Sequence, residues 1–183
     1  SVIPSVNTAW INPASLAKTE LFHELLLETL DSGHKILICS QFTSLLKQIR
    51  TSLESQNIAY EYLDGATKDR IERVDRFNNT PEIPIFLLSL KAGGTGLNLT
   101  SADTVIIYDP WWNPAVEAQA TDRTHRIGQT KPVTSIKLVV KNSIEEKILE
   151  LQKKKDHIFK NLVDNPAAAL RQLKLEDLEF LLK

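Results

Sequence analysis

The stretch Lys35-Ile-Leu-Ile-Cys-Ser-Gln-Phe-Thr43 decides the fold, because a short apolar run passes directly into a helical pattern. The run from Lys35 to Cys39 is typical of a strand buried on both faces, as strands of parallel sheets are. Residues 43–56 then have the periodicity of an amphipathic helix, which Thr43 is expected to cap. A strand followed at once by a helix is the repeating unit of an α/β fold.

The same alternation of strands and helices extends in both directions from this stretch. Before it, residues 15–32 form a predicted amphipathic helix that ends at Gly33, where a left-handed C′ residue is expected. After it, strands are predicted at residues 58–63, 85–89, 104–108 and 134–140, and helices at residues 68–78, after Asn113 and after Ser143. Single helices between strands predict an α/β fold with a mainly parallel sheet flanked by helices.

The two ends of the chain are expected to lie outside this α/β domain. Residues 1–14 carry no regular pattern and are interpreted as an irregular connector, residues 15–162 as the main domain, and residues 163–183 as a C-terminal helical appendage. Within the main domain, Ser143-Ile-Glu-Glu146 is a capping box. In the helix that it starts, Ile144, Ile148, Leu151 and Ile158 share one face.

The composition is that of a soluble globular protein without a global attraction to nucleic acid. The 183 residues are 42% hydrophobic and 25% charged, with a net charge of −1, so a nucleic-acid surface must be a local patch. The segment from Gln119 to Lys137 is such a patch, because its basic residues outnumber its acidic ones. Cys39 is the only cysteine, which excludes internal disulfides and favours a reducing compartment. Its apolar neighbours favour a small buried side chain over a nucleophile.

Two absences bear on the context of the chain. No apolar run reaches the length of a membrane-spanning helix, so no membrane partner is expected. Methionine is absent, even from position 1, so the chain is expected to be a piece of a longer protein.

The stretch Gln119-Ala-Thr-Asp-Arg-Thr-His-Arg-Ile-Gly-Gln129 carries the most chemistry. Asn113-Pro114 predicts a helix start, with an N-cap followed by proline at the first helical position. If that helix continues, Gln119, Arg123 and Arg126 lie at positions i, i+4 and i+7 on one face. Two guanidiniums and an amide in a row offer a planar array of donors to a polyphosphate. The alternative is a solvated basic stripe without a ligand.

Most of the chain, from Ser15 to Leu151, resembles the second RecA-like lobe of the SWI/SNF family of superfamily 2 DNA translocases. Five blocks in family order carry the resemblance: residues 35–43, Tyr62-Leu-Asp-Gly-Ala-Thr67 with Arg70 and Phe77-Asn78, Ser89-Leu-Lys-Ala-Gly-Gly-Thr-Gly-Leu-Asn-Leu99 with Asp109-Pro-Trp-Trp-Asn-Pro114, residues 119–129, and Glu145-Glu-Lys-Ile-Leu149. The segment between Thr67 and Arg70 is slightly shorter than in many eukaryotic members. This shortening and the sequence Pro-Trp-Trp-Asn-Pro slightly favour a bacterial-type or DNA-repair-type subgroup.

The resemblance implies roles for individual residues in this chain. As catalytic residues it implies Arg123 and Arg126, the arginine fingers towards the γ-phosphate, with Gln119 and Asp122 orienting them. Near ATP it places Gly96, Asn98, Arg123 and Arg126, and as contacts to the DNA backbone it implies Gln41, Thr43, Ser89, Lys91 and Gly94. In the full-length protein, alanine at either arginine is expected to abolish most DNA-stimulated ATPase activity and leave the fold intact. Without the resemblance, the glycine cluster is a tight turn, and it is not a P-loop because no Gly-Lys-Ser/Thr follows.

The function implied is that of the second motor lobe of an ATP-dependent double-stranded-DNA translocase, a remodelling ATPase whose isolated lobe is inactive. The cofactors implied are ATP and Mg²⁺, held mainly by a first lobe whose Gly-Lys-Thr loop and Asp-Glu-x-His box do not occur here. The partners implied are double-stranded DNA, the N-terminal RecA-like lobe of the same protein, and nucleosomes or DNA-bound proteins. The location is intracellular, with the bacterial nucleoid slightly favoured and the nucleus expected for a eukaryote.

Several other interpretations stay open. The chain could be a non-catalytic RecA-like module that binds DNA or a partner, although such a module has no need of two aligned arginines. An RNA helicase of the DEAD-box type is disfavoured, because the chain reads His-Arg-Ile-Gly-Gln and not His-Arg-x-Gly-Arg. Trp111 and Trp112 could stack on bases, but one core and one surface position are favoured. His125 has no second ligand at metal spacing, so no metal site is expected.

Overall fold

The computed structural model describes residues 5–11, 18–92, 97–111, 114–124 and 132–164. The strands among them are β1 (Ser5–Ile11), β2 (Ile36–Ser40), β3 (Tyr60–Leu63), β4 (Ile85–Ser89), β5 (Thr104–Ile107) and β6 (Thr134–Val140). The helices are α1 (Lys18–Asp31), α2 (Thr43–Ser55), α3 (Arg70–Asn79), α4 (Pro114–Asp122) and α5 (Ile144–Asp164), with a short 3-10 turn at Leu90–Ala92. Within the described residues, no helix is long and apolar enough to cross a membrane.

The strands form one six-stranded sheet in the order β1-β6-β5-β2-β4-β3, and every neighbouring pair is parallel. In the centre, Ile38 of β2 lies opposite Leu87 of β4 on one side and Ile106 of β5 on the other. The prediction of a parallel α/β fold is therefore confirmed. After β2 the chain forms β3 and β4 on one side of β2, and it then crosses β2 to form β5 and β6 on the other side. The direction in which strands are added therefore reverses at β2. In open α/β sheets, ligands bind beside the carboxyl ends of the strands at such a reversal.

β1 corrects the expectation of an irregular connector over residues 1–14. It pairs in parallel with β6, from Ser5 opposite Thr134 to Ile11 opposite Val140. The sequence did not indicate this strand because adjacent polar residues, Asn7 and Thr8, interrupt any alternation. The hydrogen bonds of β1 come from a strand far along the chain, which local periodicity does not report.

One face of the sheet, here called the α1/α2 face, is covered by α1 and α2 and is apolar. Its buried side chains are Phe22 and Leu26 of α1, Leu46, Ile49 and Leu53 of α2, and Ile36, Ile38, Ile85, Leu87, Ile106 and Leu138 of the sheet. These positions recur at helical spacing in the helices and at every second residue in the strands, as the sequence predicts for one packed face. Burial of this apolar area is the main stabilising contribution on this side.

The opposite face, here called the α3/α4 face, has an apolar centre and polar margins. In the centre, Phe77 of α3 packs edge-on against Phe86 of β4, with ring centroids 5.3 Å apart. At the β3 margin, Glu61 is buried and accepts hydrogen bonds from Arg76 (2.7 Å) and Arg73 (3.3 Å). At the other margin, β6 presents Ser135 and Lys137 on this face, where the centre of the sheet presents apolar residues.

The helix ends follow the predicted capping chemistry in part. Gly33 has a φ of 77° and donates its N–H to the carbonyl of Leu30 at 2.9 Å, which confirms the left-handed C′ glycine. Thr43, expected to cap α2, is instead its first helical residue, and Phe42 occupies the N-cap without a side-chain bond. The residue before α2 is held instead by Ser40, whose Oγ accepts the N–H of Phe42 at 3.0 Å.

The start of α5 partly confirms the predicted capping box. Ser143 Oγ accepts the N–H of Glu145 at 3.1 Å, while Glu146 accepts the N–H of Asn142 at 2.6 Å and not that of Ser143. Ile144 and Leu151 are 69% and 41% exposed, and the buried residues of α5 include Leu149 and Gln152. α5 packs the amide of Gln152 against Glu117, whereas Ile148 is half-buried and the side chain of Ile158 lies outside the described residues. The predicted appendage spans residues 163–183; residues 163 and 164 belong to α5, and residues 165–183 lie outside the described residues.

Candidate nucleotide and DNA interface

Asp109 organises the carboxyl ends of β2 and β5. Its carboxylate is buried and accepts hydrogen bonds from Ser40 Oγ (2.5 Å) and from the N–H of Gln41 (3.1 Å). Burial raises the pKa of Asp109 above its ordinary value, and the bonds from Ser40 and Gln41 offset part of that rise. Asp109 therefore fixes the backbone of Gln41 at the edge where β2 ends.

The described residues among the predicted DNA contacts lie at the ends of two neighbouring strands. Ser40 at the end of β2 lies opposite Ser89 at the end of β4, so Gln41 and Lys91 follow adjacent strand ends. Thr43 and Lys91 are exposed and Gln41 is half-buried, so all three can be reached from outside. Ser89 is buried, and its hydroxyl does not face solvent in this conformation. Gly94 lies outside the described residues.

A turn held by hydrogen bonds to Asp64 follows β3, the strand next to β4 in the sheet. Asp64 accepts hydrogen bonds from Tyr62 Oη (2.9 Å), the N–H of Ala66 (2.9 Å) and Thr67 Oγ1 (3.1 Å). Burial alone raises the pKa of Asp64, but these hydrogen bonds outweigh it and lower the pKa below the ordinary value. The turn therefore holds an ionised carboxylate, in contrast to the desolvated carboxylate of Asp109.

The predicted row of Gln119 and Arg123 on one helix face is wrong. α4 ends at Asp122, and the chain turns there, with the N–H of Thr124 bonded to the carbonyl of Thr121 at 3.1 Å. Gln119 and Asp122 are exposed, whereas Arg123 is only 3% exposed. Arg123 follows the end of the helix, so its side chain does not lie four residues along the same helix face as Gln119, as the prediction assumed. It points into the interior instead. Residues 125–131, including Arg126, lie outside the described residues, as does Gly96, while Asn98 is exposed.

Arg123 lies close to Cys39, near the carboxyl end of β2. Burial raises the pKa of Cys39 to about 12, and the positive charge of Arg123 acts in the opposite direction on that thiol. Cys39 is fully buried, which confirms the interpretation of a small core side chain. The burial of Arg123 also changes one expectation, because removal of a buried arginine stem costs packing as well as charge. Arg123→Ala is no longer expected to leave the stability of the fold unchanged.

A buried polar cluster, here called the Glu117 cluster, joins α4, β6 and α5. Glu117 is 2% exposed, and its Oε1 accepts the N–H of Trp111 (2.5 Å) and Nε2 of Gln152 (2.8 Å). Lys137 pairs with the other carboxylate oxygen and donates to Gln152 Oε1 at 3.2 Å. The cluster fixes the segment that leads into α4 and hence the position of the arginine-bearing turn at the end of that helix.

Sequence reasoning missed the Glu117 cluster. Its only signal was the placement of a lysine in a central position of an apolar strand and of Glu117 three residues after Pro114. Trp111 is half-buried against the core of the α3/α4 face, which agrees with one core tryptophan in the pair, and Trp112 lies outside the described residues.

The described residues offer no cluster of three or more His, Cys, Asp or Glu side chains that could hold a metal ion. His125 lies outside the described residues.

Comparison with known proteins identifies the family. The model of the Helicase conserved C-terminal domain matches residues 17–128. The chromatin-remodeling ATPase INO80 of Candida albicans is 47% identical over 165 residues, which cover 89% of this chain and 12% of that protein. The ATP-dependent helicase rhp16 of Schizosaccharomyces pombe is 47% identical over 158 residues, which cover 85% of this chain and 18% of that protein.

A solved structure agrees with the fold. The C-terminal part of the Fun30 ATPase domain superposes with a TM-score of 0.70 at 43% identity, over 74% of this chain and 45% of that one. The fold and the matched domain define a helicase-type RecA-like lobe. The chain belongs to the helicase C-terminal family, as the second lobe of a SWI/SNF-type ATPase.

The relatives also bear on source and extent. Protein CHROMATIN REMODELING 19 of Arabidopsis thaliana is 50% identical over 141 residues, covering 76% of this chain and 18% of that protein. The three curated relatives named here are fungal and plant proteins, and they do not support the bacterial lean drawn from the short segment before Arg70. The chain spans 12 to 18% of their lengths, so it corresponds to one lobe of much larger enzymes.

Proposed function

We propose that this chain is the second motor lobe of an ATP-dependent double-stranded-DNA translocase that remodels chromatin or other protein–DNA complexes in the nucleus. One observation carries the DNA-facing part of the proposal. Gln41, Thr43 and Lys91 come from two separate sequence blocks, and the parallel pairing of β2 with β4 brings them to one edge of the sheet. Accessible polar and cationic side chains at neighbouring strand ends suit contacts to phosphates, which position a protein on DNA without reading its sequence.

On the nucleotide side, the chain would supply groups that complete a site held mainly by a first RecA-like lobe, where ATP and Mg²⁺ bind. We assign the finger role to Arg126, because Arg123 is buried in this conformation. Arg123 would then support the turn, with Gln119 and Asp122 exposed beside it and Gly96 and Asn98 near the nucleotide. A guanidinium that meets the γ-phosphate in the closed state stabilises charge on the transferred phosphoryl group, an effect of about 10³-fold or more on turnover.

The partners follow from the same assignment. Double-stranded DNA would contact the edge formed by Gln41, Thr43 and Lys91, and the first lobe would face the arginine-bearing turn. The relatives named as chromatin remodellers favour nucleosomal DNA as the substrate of the full-length protein.

The direct test compares ATP turnover by the isolated chain and by the full-length protein, each with and without duplex DNA. The isolated chain should show only background hydrolysis, and the full-length protein should be stimulated by DNA. Turnover by the isolated chain at about 1 per second or faster would overturn the assignment as half of a motor. A full-length protein that binds DNA but never hydrolyses ATP would favour the non-catalytic binding module instead.

A second test addresses the DNA edge. The isolated chain should bind duplex DNA weakly and without sequence preference, with an affinity that falls steeply with salt. Lys91→Ala should reduce the slope of log affinity against log salt by about 1. Lys153→Ala, at an exposed lysine of α5, is the matched control and should leave the slope unchanged. Equal effects of the two variants would remove Lys91 from the interface.

A further inference from the structure

Helix α3 holds both ends of the loop that joins β4 to β5. At the entry, Arg70 Nη1 donates to the carbonyl of Ala92 at 3.2 Å. At the exit, Asn78 Nδ2 donates to the carbonyl of Asn98 at 2.7 Å, and Asn78 Oδ1 accepts the N–H of Ser101 at 3.2 Å. Two side chains of one helix, two turns apart, therefore fix the two ends of the glycine-bearing loop.

α3 is itself rigidly placed. Phe77, the neighbour of Asn78, is fully buried on the α3/α4 face, and Val74 is buried beside it. Arg70 also donates through Nε to the carbonyl of Thr67 at 3.0 Å, so the turn after β3 shares the same anchor. Any displacement of one loop end is therefore opposed by contacts along the whole helix.

The exit of the loop also touches the arginine-bearing turn. The N–H of Leu99 donates to the carbonyl of Arg123 at 2.9 Å, one residue after the carbonyl that Asn78 holds. Lys91, a proposed DNA contact, directly precedes Ala92 at the entry. The hydrogen bond of Arg70 at one end of α3 and those of Asn78 at the other thus connect the proposed DNA edge to the turn that contains Arg123. That turn leads to the proposed finger.

We propose that Asn78 is a positioning residue that couples DNA binding to ATP hydrolysis, with Arg70 as the second anchor of the same helix. The inference rests on the proposed motor function and names an element that transmits it. Asn78 suits this role because its amide holds two backbone groups of the loop exit at once, a donor to Asn98 and an acceptor from Ser101. Loss of one of these bonds lets the loop exit move relative to Arg123 without removing any group that touches DNA.

The variant that separates this role from a structural one is Asn78→Asp in the full-length protein. Aspartate keeps the acceptor for Ser101 but places an oxygen against the carbonyl of Asn98, where the amide donated. DNA-stimulated kcat should fall by between about tenfold and a hundredfold. The DNA concentration that gives half-maximal stimulation should stay as in the wild type, because Gln41, Thr43 and Lys91 are untouched. A merely structural residue would change both quantities together.

Asn79→Asp is the matched control, since it makes the same change at the exposed neighbouring position. It should leave the stimulated kcat unchanged. If Asn78→Asp unfolds the isolated chain, Arg70→Lys decides the matter, because it keeps the charge and loses the planar fork that reaches Ala92 and Thr67. This variant should also lower the stimulated kcat by tenfold or more, on the order expected for a misplaced site.

The outcomes separate the two claims. A wild-type protein without DNA-stimulated turnover overturns the proposed function, and this inference with it. A stimulated wild type in which Asn78→Asp matches Asn79→Asp overturns the inference alone. Wild-type stimulation in Arg70→Lys does the same where Asn78→Asp does not fold.

Discussion

The two faces of the sheet are built by different kinds of contact. On the α1/α2 face, Phe22 and its neighbours form a continuous apolar layer. On the α3/α4 face, apolar packing around Phe77 gives way at both margins to buried charges, Glu61 with its arginines and Glu117 with Lys137. Apolar burial is non-directional and determines how strongly a helix is held. Hydrogen bonds between buried polar groups are directional, so they determine where the helix lies.

The difference matters because the described residues that are proposed to couple DNA binding to ATP hydrolysis belong to the second kind of surface. Arg70 and Asn78 of α3 and Arg123 after α4 lie on the face whose margins are polar. Among the described residues with a proposed nucleotide or coupling role, none belongs to the apolar layer of the α1/α2 face. Mutations in the apolar layer of the α1/α2 face should therefore change the stability of the fold without changing a group of the proposed site.

The largest expected effect is on the apolar face. Phe22→Ala should lower the free energy of unfolding of the isolated chain by about 3–5 kcal/mol, because a fully buried ring leaves a cavity. Leu27→Ala on the same helix, at a position 43% exposed, should cost less than about 1 kcal/mol. Urea unfolding measures the free energy of unfolding of the two variants. A similar loss for both would contradict the distinction between the buried and the solvent-exposed side of α1.

The next effect concerns the Glu117 cluster. Lys137→Met should cost about 3 kcal/mol or more, because it leaves the carboxylate of Glu117 buried without its cation. Adding Glu117→Gln should recover at least about 1 kcal/mol, since the amide keeps an acceptor for Trp111 and carries no charge. A double-mutant cycle in urea checks this non-additivity. Strictly additive losses would show that the polar margin is no more coupled than the apolar face.

A smaller effect is expected at the turn after α4. Arg123→Ala should lower the free energy of unfolding of the isolated chain by about 2 kcal/mol, because the buried stem packs in the interior. Gln119→Ala, at an exposed position of α4, should change it by less than about 0.5 kcal/mol. Equal melting temperatures for Arg123→Ala and the wild type would show that the side chain of Arg123 is not packed in the interior. Arg123 would then again be a candidate arginine finger.

The smallest effect compares two carboxylates at the same edge of the sheet. The raised pKa of Asp109 gives a contribution that stabilises the fold at acidic pH and is lost as pH rises from about 4 through the folded pKa. The lowered pKa of Asp64 gives a contribution present above about pH 4 and lost as pH falls through its folded pKa.

These shifts have opposite signs, so the two asparagine variants should behave oppositely. Relative to the wild type, Asp109→Asn should gain stability as pH rises towards 7, and Asp64→Asn should lose it. Urea unfolding of the isolated chain between about pH 3.5, just below the ordinary aspartate pKa, and about pH 7 measures both slopes. Slopes of the same sign would contradict the contrast between a desolvated and a hydrogen-bonded carboxylate.

The sequence predicted what local apolar patterns determine. β4 and β6 were predicted with their observed bounds, and Gly33 with its left-handed conformation. The parallel sheet followed from the alternation of elements, and the family from the order of the motifs. Apolar periodicity sufficed there because each element buries a side that its own sequence marks.

The errors occurred where local periodicity does not report what decides the structure. β1 depends on its pairing with β6, a strand far along the chain, and Arg123 turns inward because α4 ends one residue before it. Helical spacing says which residues would share a face if the helix continued, but it does not say where the helix ends. The DNA and nucleotide roles of individual residues stay predictions for the same reason, since they depend on a second lobe and on ligands.

The most direct test of the motor assignment is the DNA-stimulated ATP turnover of the full-length Arg126→Ala protein, with duplex-DNA affinity measured in parallel. A finger that meets the γ-phosphate only in the closed state should lower turnover by about 10³-fold when removed, and leave the affinity for DNA unchanged. Arg126→Lys should rescue little of the loss, because a point charge does not reproduce the planar fork. Wild-type turnover in Arg126→Ala would contradict the assignment of this lobe as the arginine-donating half of the motor.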